Sequence, residues 1–110
     1  IKVTKAAGSW TVRAGGAVLG ESSNALELVE GENTLVIYFP RTDVAMAFLD
    51  TSSEASYCPH KGDATYFSVV TKSRTIKNAV WSYEAPKEAV SEIKDHLAYY
   101  GMEESTVEQS

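Results

Sequence analysis

The chain has 110 residues, with 10 Lys and Arg against 15 Asp and Glu, for a formal net charge of -5. That length holds a single domain without room for a second independent core, and the acidic balance argues against a nucleic-acid backbone as partner, which would need clustered Lys and Arg. A hydrophobic share of 44% and an aromatic share of 10% suit a compact, β-rich soluble chain.

The opening "IKVTKAAGSW" has no apolar core of signal-peptide length, and no later run approaches membrane-spanning length. With Cys58 as the sole cysteine, no internal disulfide can form. A reducing, cytoplasmic setting is therefore the expectation, with no membrane partner.

"SWTVRAGGAVLG" reads as a hairpin, with Trp10 and Val12 on one arm, Val18 on the other and Gly15-Gly16 at the turn. "NALELVEGENTLVIYFP" repeats the pattern. Leu26 and Leu28, then Leu35, Ile37 and Phe39, alternate with more polar positions around a turn at Gly31-Glu32-Asn33. Pro40 ends that strand by removing a ladder donor. "VAMAFLD" is too short for periodicity to separate helix from strand. "ATYFSVVT" and "NAVWSY" are strands, the second placing Trp81 and Tyr83 on one side. Between them, the cations of "KSRTIK" (Lys72, Arg74, Lys77) fit a solvated hairpin tip better than a phosphate track.

Pro86 suits the first turn of a helix, and Ala89, Val90, Ile93 and Leu97 then form a stripe at helical spacing. His96 near that helix's end would meet its last carbonyls, while "HLAYY" is also compatible with a last strand. Residues 103–110 read as a frayed acidic tail. Six to eight short strands against one short C-terminal helix give a mainly β fold, a compact two-layer sandwich or open barrel.

Chemistry concentrates in "YCPHKGDATYFSVV", where Cys58, His60, Lys61 and Asp63 crowd around Pro59 and Gly62. A turn accounts for Pro59, Gly62 and Asp63, but it requires neither a thiol nor an ammonium. A thiol beside a cation can become a nucleophile, although a cysteine packed as a small hydrophobe is commoner. Cys58, His60 and His96 lack the paired spacing of a metal site, so no metal and no cofactor are expected. In "YFPRTDV", Arg41 and Asp43 form either a local surface pair or, beside Lys61 and Asp63 at one end of the sheets, a site for an anionic small ligand. Tyr66, Trp81 and Tyr83 supply aromatic surface, either as core or as a stacking wall.

The order "YFPRTDV", "CPHKGDATYFSV", "AVWSYEAP", "HLAYY" resembles the bacterial and fungal family catalogued as domain of unknown function 427, from Trp10 through Tyr100. Its pattern falls on Tyr38, Pro40, Asp43, Cys58, Pro59, Lys61, Gly62, Tyr66, Trp81, Tyr83 and Pro86. The resemblance implies a compact, mainly β fold similar to the β-tent proteins, many of which hold zinc with paired cysteines that are missing here. The nucleotidyltransferase-style name that the family also carries has no matching motif: neither a Gly-Ser helix start followed by paired aspartates nor a phosphate-cradling loop is present.

The leading expectation is a binding module for a small anionic or nucleotide-like ligand, lined by Arg41, Asp43, Cys58, Lys61, Asp63, Tyr66, Trp81 and Tyr83. An enzyme acting on such a substrate, and a protein-interaction domain using an exposed strand edge, are the alternatives.

Overall fold

The computed structural model describes residues 1–14, 16–31, 34–72, 74–99 and 105–109. Its strands are β1 (Lys2–Lys5), β2 (Trp10–Ala14), β3 (Ala17–Ser22), β4 (Leu26–Glu30), β5 (Thr34–Pro40), β6 (Leu49–Cys58), β7 (Gly62–Val70), β8 (Thr75–Ser82), β9 (His96–Tyr99) and β10 (Ser105–Gln109). Seven of them form one sheet in the order β1-β4-β5-β9-β8-β7-β6, and β10-β2-β3 form a second. Neither sheet closes into a barrel, because each order begins and ends on different strands.

The hairpins follow from alternation plus turn chemistry. β2 pairs with β3 and β4 with β5, both antiparallel, and Gly16 and Gly31 take positive φ as the turns require. Their expected turn partners, Gly15, Glu32 and Asn33, lie outside the described residues. Central strands bury both faces, so the consecutive Ile37, Tyr38 and Phe39 of β5 are all buried. Successive side chains point to opposite sides, and the large sheet therefore has two apolar interiors.

On one face, Ile37, Phe39, Phe67, Val69, Val80 and Leu97 pack with Val12, Ala14 and Leu19 of the small sheet. On the other, Leu28, Tyr38, Ala64, Tyr83 and Ala98 pack with Val90 and Ile93. The sheet also curls on this second side. Lys61 Nζ lies 3.2 Å from Glu30 Oε1, although three strands separate β4 from β7. In a flat sheet that separation would be roughly 19 Å, beyond the reach of the two side chains.

Two expectations are corrected and one open reading is settled. The segment after Pro86 is not an α-helix: Glu88–Ile93 forms 3-10 turns broken at Val90 (φ -128, ψ 29). Its apolar stripe is divided, with Val90 and Ile93 packing on the second face and Leu97 belonging to β9 and the first face. Asp95, at φ 60, turns the chain between them. His96 accordingly starts a strand, and its Nδ1–H donates to the carbonyl of Lys94 at 2.7 Å. "VAMAFLD" is neither simple helix nor simple strand, since a 3-10 turn over Met46–Phe48 leads into β6. Finally, the end of the chain is not wholly frayed: Ser105–Gln109 pairs along β2, with Val107 opposite Val12. Among the described residues, no helix is long and apolar enough to cross a membrane.

Candidate functional site

The Cys-Pro-His-Lys-Gly-Asp segment is a tight turn between β6 and β7. The Lys61 N–H donates to the Cys58 carbonyl at 3.2 Å, and Cys58 pairs with Gly62 across the hairpin. Gly62 stands at φ 110. A Cβ there would meet the carbonyl oxygen of Ala85 at 3.4 Å, so glycine meets both the conformation and the close approach. The Lys87 N–H donates to the Lys61 carbonyl at 3.0 Å, which fixes the turn against the segment containing Pro86.

The turn aims Lys61 at the second interior. Its ammonium pairs with Glu30 at 3.2 Å, with 12% of the Lys61 side chain exposed against 33% of Glu30, and stands 5.6 Å from the Tyr83 ring centroid. Cys58, Tyr66 and Trp81, all half-buried, pack against the same cluster. β9 lies between β5 and β8; Leu97 pairs with Phe39 and Ala98 with Trp81. Tyr38, Ala98 and Trp81 therefore share a row, and the small Ala98 leaves space above it. Through that space the Trp81 Nε1–H donates to the Tyr38 hydroxyl at 3.3 Å. The Tyr66 hydroxyl in turn hydrogen-bonds Ser56 Oγ at 2.9 Å.

Burial dominates the electrostatics here. It pushes the Tyr38 phenol up to about 12, against the Trp81 hydrogen bond, which acts in the opposite direction; Cys58, Glu30 and Tyr66 add to the rise. Tyr83 is raised further by burial, then by Tyr38, Cys58, Tyr66 and Glu30. Both phenols stay protonated at neutral pH, as hydrogen-bonding groups rather than bases.

The other expected site residues make separate contacts. Arg41 pairs with Glu84 at 3.7 Å and stacks 5.7 Å from the Phe67 centroid, on the first face. Asp43 accepts a 2.6 Å hydrogen bond from Ser22 Oγ of β3. Asp63 is exposed opposite Tyr57. Arg41, Lys61 and Asp63 all stand at the same end of the large sheet, where Pro40 pairs with His96, Trp81 with Ala98 and Thr65 with Ser82, but Arg41, Lys61 and Asp43 each bond to a different partner. Among the described residues, no group of three or more His, Cys, Asp or Glu is placed to hold a metal ion.

A cavity of about 370 Å³ is bordered by Trp10, Ile37, Tyr99 and Val107 from the first face, by Val36 and Trp81 from the second, and by Leu35. Both tryptophans of the chain line it. Trp10 and Glu30 carry no site signal in the sequence. Each comes from a strand distant in sequence, and only the curl and the packing of the sheets bring them in. The sequence did point to Tyr38 through the family pattern, though not as a ligand contact.

A family model described as a domain of unknown function (DUF427) matches residues 2–109. The chain belongs to the DUF427 family. No curated protein matches it. Of the positions on which the DUF427 pattern falls, Tyr38, Cys58, Tyr66, Trp81 and Tyr83 meet in the second interior, and Lys61 reaches it over Tyr83. Gly62 shapes the turn that carries Lys61. Asp43 stands apart, in the turn after β5, bonded to Ser22 of β3.

Proposed function

We propose that this domain binds a small planar ligand, nucleotide-like in having a base-like ring, in the cavity between Trp10 and Trp81. The observation that carries this reading is the convergence of both tryptophans on one open cavity of about 370 Å³, a size suited to small molecules. Indole faces stack on flat heteroaromatic rings with little dependence on ring identity. Trp81 is held for this role by its bond to Tyr38.

The anionic part of the expected ligand has less support. Lys61 is committed to Glu30 and Arg41 to Glu84, so a phosphate at the Cys-Pro-His-Lys-Gly-Asp turn would have to displace a carboxylate. We therefore expect a neutral or singly charged ring compound.

Intrinsic tryptophan fluorescence tests the reading directly. Titration with a panel of nucleobases, nucleosides and mononucleotides should give saturable quenching for at least one ring class. Trp10→Phe and Trp81→Phe should each weaken binding, and a 5′-phosphate should add little affinity. No saturable quenching across the panel, or binding that survives both substitutions, would overturn the proposal.

A further inference from the structure

A second cavity, of about 500 Å³, opens where β6, β7 and β8 lie side by side, lined by polar groups that include Asp50, Ser52, Ser68, Thr75, Lys77 and Asn78. We infer that it is a binding site for a neutral polyol, of the saccharide class. The inference is independent of the tryptophan-lined cavity, whose lining residues are all different.

Shape comes first. Between the pairs Thr51–Phe67 and Ala55–Thr65, β6 places Ser52, Ser53 and Glu54 opposite the single Tyr66 of β7. Between Phe67–Val80 and Val69–Ile76, β8 places Lys77, Asn78 and Ala79 opposite the single Ser68. Two adjacent ladders are thus broken at neighbouring positions, and such bulges re-aim side chains that a regular pleat would keep apart. A twisted sheet explains one bulge. It does not explain why the bulged positions on both strands are occupied by hydroxyl and amide groups that bond to each other.

Those bonds fix the direction of each donor. The Ser52 hydroxyl donates to Asn78 Oδ1 and accepts the Glu54 N–H at 3.1 Å. The Asn78 N–H donates to Ser68 Oγ at 3.2 Å, with Asn78 held at φ 53. With Oδ1 turned towards Ser52, the Asn78 amide has, among the described residues, both N–H groups left to give. Ser68, having accepted, still has its own O–H to donate. Across the cleft, Asp50 offers acceptors and Lys77 further donors.

Charge then selects the ligand class. One carboxylate and one ammonium cancel, so neither an anion nor a metal cation is favoured. A molecule carrying several hydroxyls, each both donor and acceptor, matches a mixed set of this kind.

The test is an amide NMR titration of the whole protein with a panel of neutral mono- and disaccharides, with inorganic phosphate as the comparison. Asn78→Gly retains access to the positive φ and removes the amide; Lys77→Met removes the ammonium from an exposed position. We expect saturable shifts confined to Asp50, Ser52, Ser68, Lys77 and Asn78 for at least one saccharide, and none of that pattern with phosphate. Asn78→Gly should weaken that binding about tenfold or more, the scale of one lost hydrogen-bonding group. The inference is overturned if no saccharide gives saturable shifts in the cleft, if phosphate gives them instead, or if Asn78→Gly and Lys77→Met both bind as wild type does.

Discussion

The two faces of the seven-stranded sheet are made by the same strands and differ in kind. The face beneath β2, β3 and β10 is packed with aliphatic and aromatic carbon, centred on an edge-to-face contact of Phe39 and Tyr99 at 5.8 Å and 88°. The opposite face has an apolar floor of Leu28, Ala98, Val90 and Ile93, but it gathers phenols, a thiol, an indole N–H and an ion pair above that floor. Alternation allows a single strand to serve both ends. In β5, Ile37 and Phe39 complete the closed interior while Tyr38 supplies the polar one. The phenols of Tyr38 and Tyr83, the thiol and the ion pair are thus collected on one side, while the other keeps a carbon-lined interior whose rim, at Trp10, Ile37, Tyr99 and Val107, borders the open cavity.

Four experiments break or sharpen that contrast. The largest effect should come from Phe39→Ala. Phe39 is fully buried, and its truncation leaves a cavity that should reduce stability by about 3–5 kcal/mol in denaturant unfolding. A loss below about 1 kcal/mol would mean that the first face is not tightly closed.

Next comes alkaline pH, which reads the polar face through Tyr38. Its folded value, about 12, stands above the ordinary 10.0. The associated stabilisation is therefore fully present below pH 10 and is lost as pH rises through 12, in total about 2–3 kcal/mol. Tyr38→Phe should lessen this slope without abolishing it, because burial also raises Tyr83 and Tyr99, and an identical alkaline slope in the variant would place the dependence elsewhere.

A smaller effect, about 1–2 kcal/mol, is expected for Lys61→Met, because the Glu30 left behind is a third exposed and partly rehydrates. The double variant Lys61→Met/Glu30→Gln should recover part of the loss. Strict additivity of the two single changes would mean that the pair does not couple across the curl.

The smallest effect, and of opposite sign, belongs to Tyr99→Phe. The Tyr99 hydroxyl is buried with no hydrogen-bond partner among the described residues. Removing it should leave stability unchanged or raise it by up to about 1 kcal/mol. A marked loss would reveal a partner for this hydroxyl and a polar element inside the closed face.

The strands were legible in the sequence because a half-buried strand writes its environment as alternation, which Trp10–Val12, Leu26–Leu28 and Thr65–Val70 show. The segment from Pro86 to Leu97 was not. Its stripe has helical spacing, but Val90 and Leu97 are buried in different interiors on opposite sides of one sheet, and nothing local marks that division. The candidate site was legible where the chemistry is local: Cys58, Lys61, Tyr66, Trp81 and Tyr83 do converge. Arg41 and Asp43 follow Tyr38 and Phe39 closely in sequence, and proximity in the chain suggested a shared site. Instead Asp43 is drawn to Ser22 and Arg41 to Glu84. Glu30 had no sequence signal at all, since its partner lies 31 residues away and is reached through curvature.

The pairing of β10 with β2 also bears on the order in which the protein can mature. The strand that flanks Trp10–Ala14 is made of residues 105–109, and the Gln109 side-chain amide donates to the Ala7 carbonyl at 2.7 Å across a separation of 102 residues. During synthesis β2 can pair with β3 early, but its other edge stays open until residues 105–109 have emerged. Closing so long a loop is slow relative to local hairpins, and an unpaired strand edge is a template for pairing with another chain. Once β2 and β3 have paired, the β2 edge therefore stays unprotected until β10 is available to cover it.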